Sequence, residues 1–554
     1  MGVETWDAGP VNIWEPTTNR KVHLMGWGQE VRASNKAVTF LDIWDSPGND
    51  DIAVGAVNTT LWGNAGNDII KIESGINATL HLGEGFKDVS SGYLLGFVKI
   101  YEYLPAWQGP VWNTDRHINV AASVLELYTG FGNDSVIGFG LIFVKIVDRG
   151  GNNHIEARGI GATVETGDGD DDIFVDTVGS GIWSGDGNDH IRVEGLLAFI
   201  WDDWRYGDKN VKVGAAYSQV RTGWGNDIVE IFALGVSVWT QGGNDLIVVW
   251  AVGAVVDAGW GNNTVDVFAV GAKVTTGDGN DVVHLHAVAE YVNTGDGDDK
   301  VEIFVIGGAA NTEGGNDLIV IKLLAVAAVV DAGSGNDTVN VFALGAVVTT
   351  GDGNDVVNLH ALAAYVNTGD GDDSVYAFSF AGQWVDLGNG YDRLEAYGGL
   401  NLIYAGWWGY KDIIVGGGLN VVQVGHGGSW VRAYGGLNVV LTGHGNNTVE
   451  ADGGANVLLN GNGRYNATVW GGLNVVLTGH GPATINAYGM NNIVLAGDGG
   501  NTLRAFGLGG LLGVGNFLVS GSGNDNIKAG GLCELGVADA RTVSGLPRVA
   551  LRDT

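Results

Sequence analysis

A short repeat with a period of 18 residues runs through most of this chain. Its clearest copies are Thr276-Gly-Asp-Gly-Asn-Asp281 and Thr294-Gly-Asp-Gly-Asp-Asp299, and the pattern returns at Thr350 and Thr368. The first glycine of the copies is found at Gly223, Gly259, Gly277, Gly295, Gly333, Gly351, Gly369 and Gly388. A fixed period this short indicates a solenoid, in which each repeat forms one coil. Function in such a fold is expected in columns of stacked side chains rather than in one pocket.

Each coil shows the alternation of a β-strand with one buried face. With Gly333 as position 0, Val339 lies at +6 and Val341 at +8, and the intervening residue is the polar Asn340. This period of two is typical of strands. The segment 343–346, Ala-Leu-Gly-Ala, then indicates a tight turn. No segment shows a helical period, and we predict an all-β, elongated parallel β-solenoid (β-roll or β-helix) of 18-residue coils.

Changes in regularity divide the chain into four predicted segments. Residues 1–129 form irregular coils, in which we interpret 97–128 as an insertion or loop. Residues 130–394 carry the acidic repeat described above. Residues 395–515 keep the period but change the motif, and residues 516–554 form a C-terminal cap or tail. A cap is expected because the open edge of a β-solenoid otherwise invites pairing with other chains.

The composition excludes several classes of protein. The formal net charge is −34, from 28 Lys and Arg against 62 Asp and Glu. A surface this acidic argues against nucleic acid as a partner, since nucleic acid requires basic patches, and it favours the binding of cations. Cys533 is the only cysteine, so the chain has no intrachain disulfide framework. No apolar run reaches the roughly 18 residues that span a bilayer.

An acidic column at position +4 is the main candidate site. Asp337 occupies it in the coil of Gly333, and its equivalents are Asp171, Asp189, Asp227, Asp245, Asp281, Asp299, Asp317, Asp355 and Asp373. Two bare carboxylates ~5 Å apart repel by about 3 kcal/mol at an effective dielectric constant of 20. A stacked column therefore needs bound cations, or its side chains must turn into water. Because carboxylate and main-chain carbonyl oxygens suit Ca²⁺, we predict that these aspartates bind calcium.

The alternative for the same column is an uncharged ladder of Asn and Asp without metal. Asn263 interrupts the column in one coil, where we expect a weak or missing site. The acidic residues at +4 disappear near residue 395, so the predicted calcium row belongs to the first repeat type.

The turn sequence resembles a known calcium-binding repeat. The run from Thr276 to Asp281, followed by an apolar residue two positions on, is similar to the RTX nonapeptide G-G-x-G-x-D-x-U-x, whose coils bind Ca²⁺. The likeness covers about residues 130–392, with outlying copies at 48–68 and 521–525. RTX repeats place a glycine turn every nine residues, whereas this block has one every 18. The resemblance therefore implies one row of calcium ions rather than two.

The segment 395–515 resembles a narrower family. The sequence Gly-Gly-Leu-Asn-Val-Val-Leu-Thr-Gly-His-Gly, at 435–445 and again at 471–481, is similar to the glycine-rich repeats of multifunctional-autoprocessing RTX (MARTX) toxins. The resemblance implies arms that engage the host membrane and assist the delivery of effector domains. The motif itself indicates two glycine turns in each coil.

Together these patterns predict a non-enzymatic, calcium-stabilised repeat region of a secreted, extracellular bacterial toxin. The expected partner is a host membrane or a cell-surface glycan. Met1 begins abruptly in repeat-like sequence, so we expect a part of a larger parent chain, with whose other regions it could associate. Two alternatives stay open, namely an RTX adhesin or extender rod and a calcium-dependent polysaccharide-modifying enzyme.

An enzyme would need a catalytic cluster, and the common signatures are absent. The sequence has no G-x-S-x-G elbow, H-E-x-x-H pair or P-loop lysine motif. Tyr101, Asp115, Arg116 and His117 form the one group of residues that we would consider for catalysis.

An aromatic column at position +9 is a second candidate surface. Its members are Phe232, Trp250, Phe268, His286, Phe304, Phe342, His360 and Phe378. If the strand continues regularly, these rings face outward and could contact a membrane or a sugar. The small-residue turn that follows indicates a corner instead, and we expect the rings to fold inward as a stacked core ladder.

Further aromatic and histidine residues occupy the glycine turns. His426, His444 and His480 are predicted to be exposed polar residues, because too few ligands lie in adjacent coils for a zinc site. Trp224 and Trp260 lie at a variable turn position, where they either decorate the loop or bind carbohydrate.

Overall fold

The computed structural model describes residues 2–6, 11–12, 20–24, 30–34, 40–44, 48–62, 66–102, 114–202, 205–507, 515–531, 534–539 and 542–544. It divides the chain into two compact units, Met1–Gly277 and Asp278–Thr554. All regular elements in the described residues are β-strands. No helix among these residues is long and apolar enough to cross a membrane.

The strands of the first unit are β1 (Gly2–Trp6), β2 (Val11–Asn12), β3 (Arg20–Leu24), β4 (Glu30–Ser34), β5 (Phe40–Trp44), β6 (Asp51–Trp62), β7 (Asp68–Leu82), β8 (Lys87–Glu102), β9 (Arg116–Tyr128), β10 (Ser135–Val147), β11 (His154–Glu165), β12 (Asp172–Trp183), β13 (His190–Trp201), β14 (Asn210–Gly214), β15 (Tyr217–Arg221), β16 (Ile228–Phe232), β17 (Gly235–Trp239), β18 (Leu246–Trp250), β19 (Gly253–Asp257), β20 (Thr264–Phe268) and β21 (Gly271–Thr275).

The strands of the second unit are β22 (Val282–Asn293), β23 (Lys300–Asn311), β24 (Leu318–Asp331), β25 (Thr338–Thr349), β26 (Val356–Asn367), β27 (Ser374–Asp386), β28 (Asp392–Ala405), β29 (Tyr410–Val424), β30 (Gly427–Thr442), β31 (Gly445–Asn460), β32 (Tyr465–Thr478), β33 (Ala483–Ala496), β34 (Thr502–Gly507), β35 (Asn516–Ser522), β36 (Asn526–Gly531), β37 (Glu534–Asp539) and β38 (Thr542–Ser544).

Equivalent residues of successive coils pair with each other in both units. In the first unit β11 and β12 are parallel, and Ile155 lies opposite Ile173, 18 residues later. In the second unit β25 and β26 are parallel, and Val339 lies opposite Val357. Each unit is therefore a parallel β-solenoid, which confirms the fold class predicted from the repeat.

The core of each coil is filled by alternate residues of one strand. In β25 the side chains of Val339, Val341 and Ala343 are buried, while Phe342 and Leu344, which each follow a buried residue, are exposed. The alternation changes phase in the Ala-Leu-Gly-Ala segment, because Leu344 and Gly345 both lie outside the core and burial resumes at Ala346. The strand pairing nevertheless continues across the segment. The predicted small-residue turn is found in the first unit, where β16 ends at Phe232 and β17 begins at Gly235. In β25 the strand instead continues through the equivalent segment.

Two other local predictions need correction. The sequence predicts an insertion or loop over 97–128, but residues 97–102 and 116–128 belong to β8 and β9. These strands pair so that Tyr101 lies opposite Tyr128. Residues 103–113 of that insertion, and 545–554 of the predicted cap, lie outside the described residues. In the 395–515 segment the Gly-Gly-Leu-Asn motif does not form a second turn, because Gly435 and Gly436 lie inside the continuous strand β30.

Candidate cation sites in the glycine turns

The predicted aspartates lie in the tight turns that precede the strands. In the turn of Gly351, the glycines at positions 0 and +2 have φ angles of 82° (Gly351) and 146° (Gly353). Asp355 follows at +4 and is 1% exposed. All ten predicted aspartates are buried to a similar degree, at 0–2% exposure: Asp171, Asp189, Asp227, Asp245, Asp281, Asp299, Asp317, Asp337, Asp355 and Asp373. The carboxylates therefore do not turn into water.

In nine of these aspartates one carboxylate oxygen accepts a hydrogen bond from the main-chain N–H of the +4 residue in the preceding coil: Asp171, Asp189, Asp227, Asp245, Asp299, Asp317, Asp337, Asp355 and Asp373. In the second unit the N–H of Asp337 donates to Oδ1 of Asp355 (2.8 Å), and the N–H of Asp355 donates to Oδ1 of Asp373 (2.9 Å). In the first unit the N–H of Asp171 donates to Oδ1 of Asp189 in the same way (2.9 Å). This ladder links each turn to the next one and uses the Oδ1 side of the column.

The second carboxylate oxygen is buried without a hydrogen-bond donor in many of these coils. Among the described residues no donor reaches Oδ2 of Asp171, Asp245, Asp299, Asp317, Asp337, Asp355 or Asp373. The hydroxyl of Thr166 lies close to Asp171, but it donates its proton to the carbonyl of Ser184 (2.6 Å). Leaving a buried acceptor unsatisfied costs roughly 1–3 kcal/mol, and more for a charged group. A proton or a cation is therefore needed to satisfy these oxygens.

Burial also raises the pKa of aspartates in this column, which favours a proton on their carboxylates. It raises the pKa to about 7 for Asp171, Asp227, Asp299, Asp337 and Asp373 and to about 6 for Asp245. Burial also raises the pKa of Asp189, Asp317 and Asp355. The neighbouring threonine hydroxyl, where the coil has one, and the preceding main-chain N–H oppose this rise in pKa but do not cancel it. Without a compensating cation, the column is thus partly protonated near neutral pH.

A second ladder, which the sequence analysis did not identify, runs along the outside of the turns at position +3. Here the N–H of the later coil donates to the side chain of the earlier one, as from Asn354 to Oδ1 of Asn336 (2.8 Å) and from Asn244 to Oδ1 of Asn226 (2.9 Å). Its direction is opposite to that of the +4 ladder. The recurring Asn-Asp pair in the turn sequence is the signal for both ladders.

Three buried lysines show that the Oδ2 side of the carboxylates can bind a cation. The ammonium of Lys209 contacts Oδ2 of Asp189 (2.5 Å) and the carbonyls of Gly185 (2.7 Å) and Gly187 (2.8 Å). We call this arrangement the turn slot: the carbonyl oxygens of positions 0 and +2 and Oδ2 of position +4. In the coil of Asp392, Lys411 occupies the same slot with the carbonyls of Gly388 (2.8 Å) and Gly390 (3.1 Å).

Asparagines fill the same slot in a different way. The side-chain NH₂ of Asn263 donates to the carbonyls of Gly259 (3.3 Å) and Gly261 (3.1 Å). In the second unit Asn501 donates to the carbonyl of Gly497 (2.8 Å). An amide therefore supplies its own donor, whereas an aspartate offers a third oxygen. This agrees with the expectation that the coil of Asn263 has a weak or missing ion site.

The residues of an aspartate slot fit a hard cation. Three oxygens converge, one of them a carboxylate oxygen, and Ca²⁺ takes six to eight oxygen ligands including water. No group of three or more His, Cys, Asp or Glu side chains in the described part of the chain is arranged around a single metal position. An ion in the slot would therefore be held by one carboxylate, by main-chain carbonyls and by water.

The aromatic column faces outward, so the prediction of an inward core ladder is wrong. Phe232 is 72% exposed and Trp250 is 42% exposed. The reason is the unbroken alternation: Ala233 at +10 is buried and keeps the rings on the outer face. Some neighbouring rings stack, as Trp250 and Phe268 do with centroids 6.0 Å apart.

Exposed aliphatic residues follow at position +11 and form what we call the +11 row. In the first unit it comprises Leu234 (55% exposed), Val252 (52%) and Val270 (53%). These residues occupy adjacent coils, because the N–H of Val252 donates to the carbonyl of Leu234 (3.0 Å) and that of Val270 to Val252 (3.1 Å). The second unit has an equivalent row of Val288, Ile306, Leu344, Leu362 and Phe380, with exposures of 39–76%. The sequence pattern does not identify this row, because the small residues around it predict a turn.

The remaining candidates occupy separate columns. His426 and His444 stack with centroids 4.6 Å apart, and Nδ1 of His426 accepts the N–H of His444 (3.1 Å). His480 is exposed and faces Asp498 (3.3 Å). Trp224 and Trp260 approach each other in the turns, with centroids 5.8 Å apart.

The four residues considered for catalysis also belong to different columns. Tyr101 stacks on Tyr128 (5.1 Å between centroids). Asp115 accepts the N–H of Asn133 in the +3 ladder (2.8 Å), and Arg116 is 2% exposed in the +4 column. His117 contacts Asp88 (3.2 Å). The structure thus places these residues in stacks that hold the coils together.

Comparison of the chain with protein-family models finds no match. Comparisons with curated proteins and with solved structures likewise find no similar protein.

Proposed function

We propose that this chain is a non-enzymatic repeat region of a secreted bacterial RTX toxin of the MARTX type, stabilised by Ca²⁺ and engaging the host membrane during effector delivery. The turn slot carries the calcium part of the proposal. Seven slots present a buried carboxylate oxygen without a hydrogen-bond donor. In the slot of Asp189, the carbonyls at the equivalent positions bind the ammonium of Lys209. The resemblance of the repeats to RTX and MARTX sequences supports the toxin part.

The slot also supports a mechanism in which calcium controls folding. When bound, the ion would supply the positive charge that the column of carboxylates needs. The residues of one slot come together only in the folded coil, in which Gly351 and Gly353 hold the positive φ angles of the turn. An ion that binds the folded state alone shifts the folding equilibrium toward it. We propose that low calcium keeps the chain loose for export and that extracellular calcium folds it.

A calcium titration of the full chain tests this mechanism. Starting from EDTA, thermal unfolding and far-UV circular dichroism should show a rise in β signal and in Tm that saturates at several ions per chain. Asp245→Asn should lose one ion, since the new amide can donate to the turn carbonyls as Asn263 does. Asp176→Asn, the same change at an exposed strand position, should keep the wild-type number. A Tm that does not respond to calcium would reject the proposal.

The +11 row supports the membrane part. Soluble monomers rarely expose large contiguous apolar surfaces, and such surfaces mark sites that contact lipid or protein. The net charge of −34 opposes simple attraction to anionic lipid, so we propose contact through the apolar row with uncharged lipid. An adhesin or extender rod would use the coils as a spacer and would not need the row.

Liposome binding separates the toxin arm from the spacer. With phosphatidylcholine vesicles and millimolar calcium, the wild-type chain should co-sediment with lipid. The pair Val252→Gln and Val270→Gln should weaken binding several-fold. Val255→Gln is the matched control, because Val255 is 41% exposed but lies outside the row. Absence of binding by the wild-type chain would favour the spacer function.

A further inference from the structure

Three lysines are buried completely inside the solenoid coils. Lys87 and Lys209 are in the first unit and Lys411 is in the second, and their side chains are 0–1% exposed. Each forms an ion pair with an equally buried aspartate of the preceding coil, namely Asp68, Asp189 and Asp392 respectively. Burying two charges costs several kcal/mol per ion unless geometry and hydrogen bonds compensate. Three recurrences of one costly arrangement require a structural explanation.

The ammonium group matches the turn slot in number and in chemistry. A lysine ammonium has three N–H donors and no acceptor. For Lys209 these three donors meet three oxygens, from Asp189, Gly185 and Gly187, at 2.5–2.8 Å. Lys411 meets the equivalent set, and Lys87 contacts the carbonyl of Gly66 (2.9 Å) together with Asp68. The lysine ammonium therefore occupies the position at which a cation would bind in the other aspartate slots.

We propose that Lys87, Lys209 and Lys411 are internal cations that replace a bound metal ion in the slots of the preceding coils. This inference rests on the proposed function, in which the other aspartate slots bind Ca²⁺. The coils of Asp68, Asp189 and Asp392 are then stable without calcium. These calcium-independent coils lie at the C-terminal ends of runs of aspartate slots. The slots between them need bound calcium for their stability.

The first test removes one internal cation. Lys209→Met keeps most of the side-chain length but removes the charge, so Asp189 should become an ordinary aspartate slot. Calcium bound per chain, measured by equilibrium dialysis, should rise by one ion. The Tm of the variant should fall below that of the wild type in EDTA and recover in calcium. Lys212→Met is the control, because Lys212 is 47% exposed and pairs with Glu230 at the surface.

The second test introduces an internal cation where none exists. Asn263 lies at +4 in the coil after Asp245, the relation that Lys209 has to Asp189. Asn263→Lys should therefore place an ammonium in the slot of Asp245. Bound calcium should fall by one ion, and the Tm in EDTA should rise. This variant adds rather than removes a charge pair, so it provides an answer even if Lys209→Met does not fold.

The outcomes separate this inference from the proposed function. If the wild type binds several ions but neither variant changes the number, the internal-cation inference is wrong and the calcium proposal stands. If the wild type binds none while Lys209→Met binds one, the inference stands and the calcium proposal fails. If the wild type and both variants bind none, both proposals are wrong.

Discussion

Single buried polar side chains, repeated once per coil, join neighbouring coils of the second unit. The side-chain NH₂ of Asn438 donates to Oδ1 of Asn456 (2.8 Å) and to the carbonyl of Asp452 (3.1 Å), and its Oδ1 accepts from Asn420 (2.7 Å). The same arrangement recurs from Asn401 to Asn516. A fully satisfied amide ladder of this kind needs no metal, unlike the aspartate column.

Replacing one member of this ladder should destabilise the fold strongly. Asn438→Leu leaves one N–H of the Asn420 amide without its acceptor and Oδ1 of Asn456 without its donor, and both side chains are buried. We expect a loss of about 2–4 kcal/mol in the free energy of unfolding, measured by urea denaturation. Asn446→Leu changes an exposed asparagine near the start of β31 and should stay within about 0.5 kcal/mol of the wild type. Equal effects of the two substitutions would contradict the ladder.

The sequence predicted the +4 column but not its full chemistry. The spacing of Asp337, Asp355 and Asp373 was sufficient to place them in register. It could not show that Oδ1 of Asp355 is used by a main-chain N–H and only Oδ2 remains available. The internal lysines were missed for a related reason. Lys209 interrupts the turn motif and lies 20 residues after Asp189, so the sequence alone indicates only an irregular coil. The contact between the two side chains is visible only in the structure.

At the scale of the turn, glycine serves two different purposes. Gly353 has a φ of 146°, which only glycine adopts readily. Gly435 has no positive φ, but a Cβ there would lie 2.0 Å from the carbonyl oxygen of Gly417. Sequence patterns do not distinguish a turn from a close approach of two backbones. The Gly-Gly-Leu-Asn motif was therefore interpreted as a turn although it lies within a strand.

Alanine substitution distinguishes the glycines that the turns require from those that they do not. Gly353→Ala would place a Cβ 1.5 Å from the carbonyl oxygen of Gly335 in a backbone conformation that alanine disfavours. We expect a loss of at least about 2 kcal/mol in unfolding free energy, measured by chemical denaturation. Gly345→Ala is the control, since its Cβ would meet only the carbonyl of Val326 at 3.6 Å. A neutral Gly353→Ala variant would show that the turn can relax.

At the scale of the whole molecule, the raised pKa values connect calcium to pH. The folded-state pKa of Asp171, Asp299 and Asp337 is about 7, against 3.8 as the ordinary value. A carboxyl whose pKa is raised by folding stabilises the folded state below its unfolded pKa, and this contribution is lost as the pH rises through the folded value. Without metal the chain should therefore be more stable near pH 4 than near pH 8.

Thermal melts at several pH values test this linkage. In EDTA the Tm should fall as the pH rises from about 4 to about 7, because the carboxylates lose their protons while they remain buried. With millimolar calcium the Tm should hold or rise over the same range, because calcium binds the ionised form. The slope of Tm against pH should thus be negative in EDTA and zero or positive in calcium. Parallel curves in EDTA and calcium would contradict any role of these carboxyl groups in ion binding.

The pairing of each residue with its equivalent in the next coil also bears on how such a gene can change. Deleting residues 334–351 would join Gly333 directly to Asp352 and restore an intact turn sequence, Gly-Asp-Gly-Asn-Asp. In the second unit, Leu318 pairs with Thr338, and Thr338 pairs with Val356 at the same strand position. Unequal recombination between repeats therefore removes or adds one coil while it preserves the contacts at the junction. Such a deletion would therefore shorten the solenoid by one whole coil.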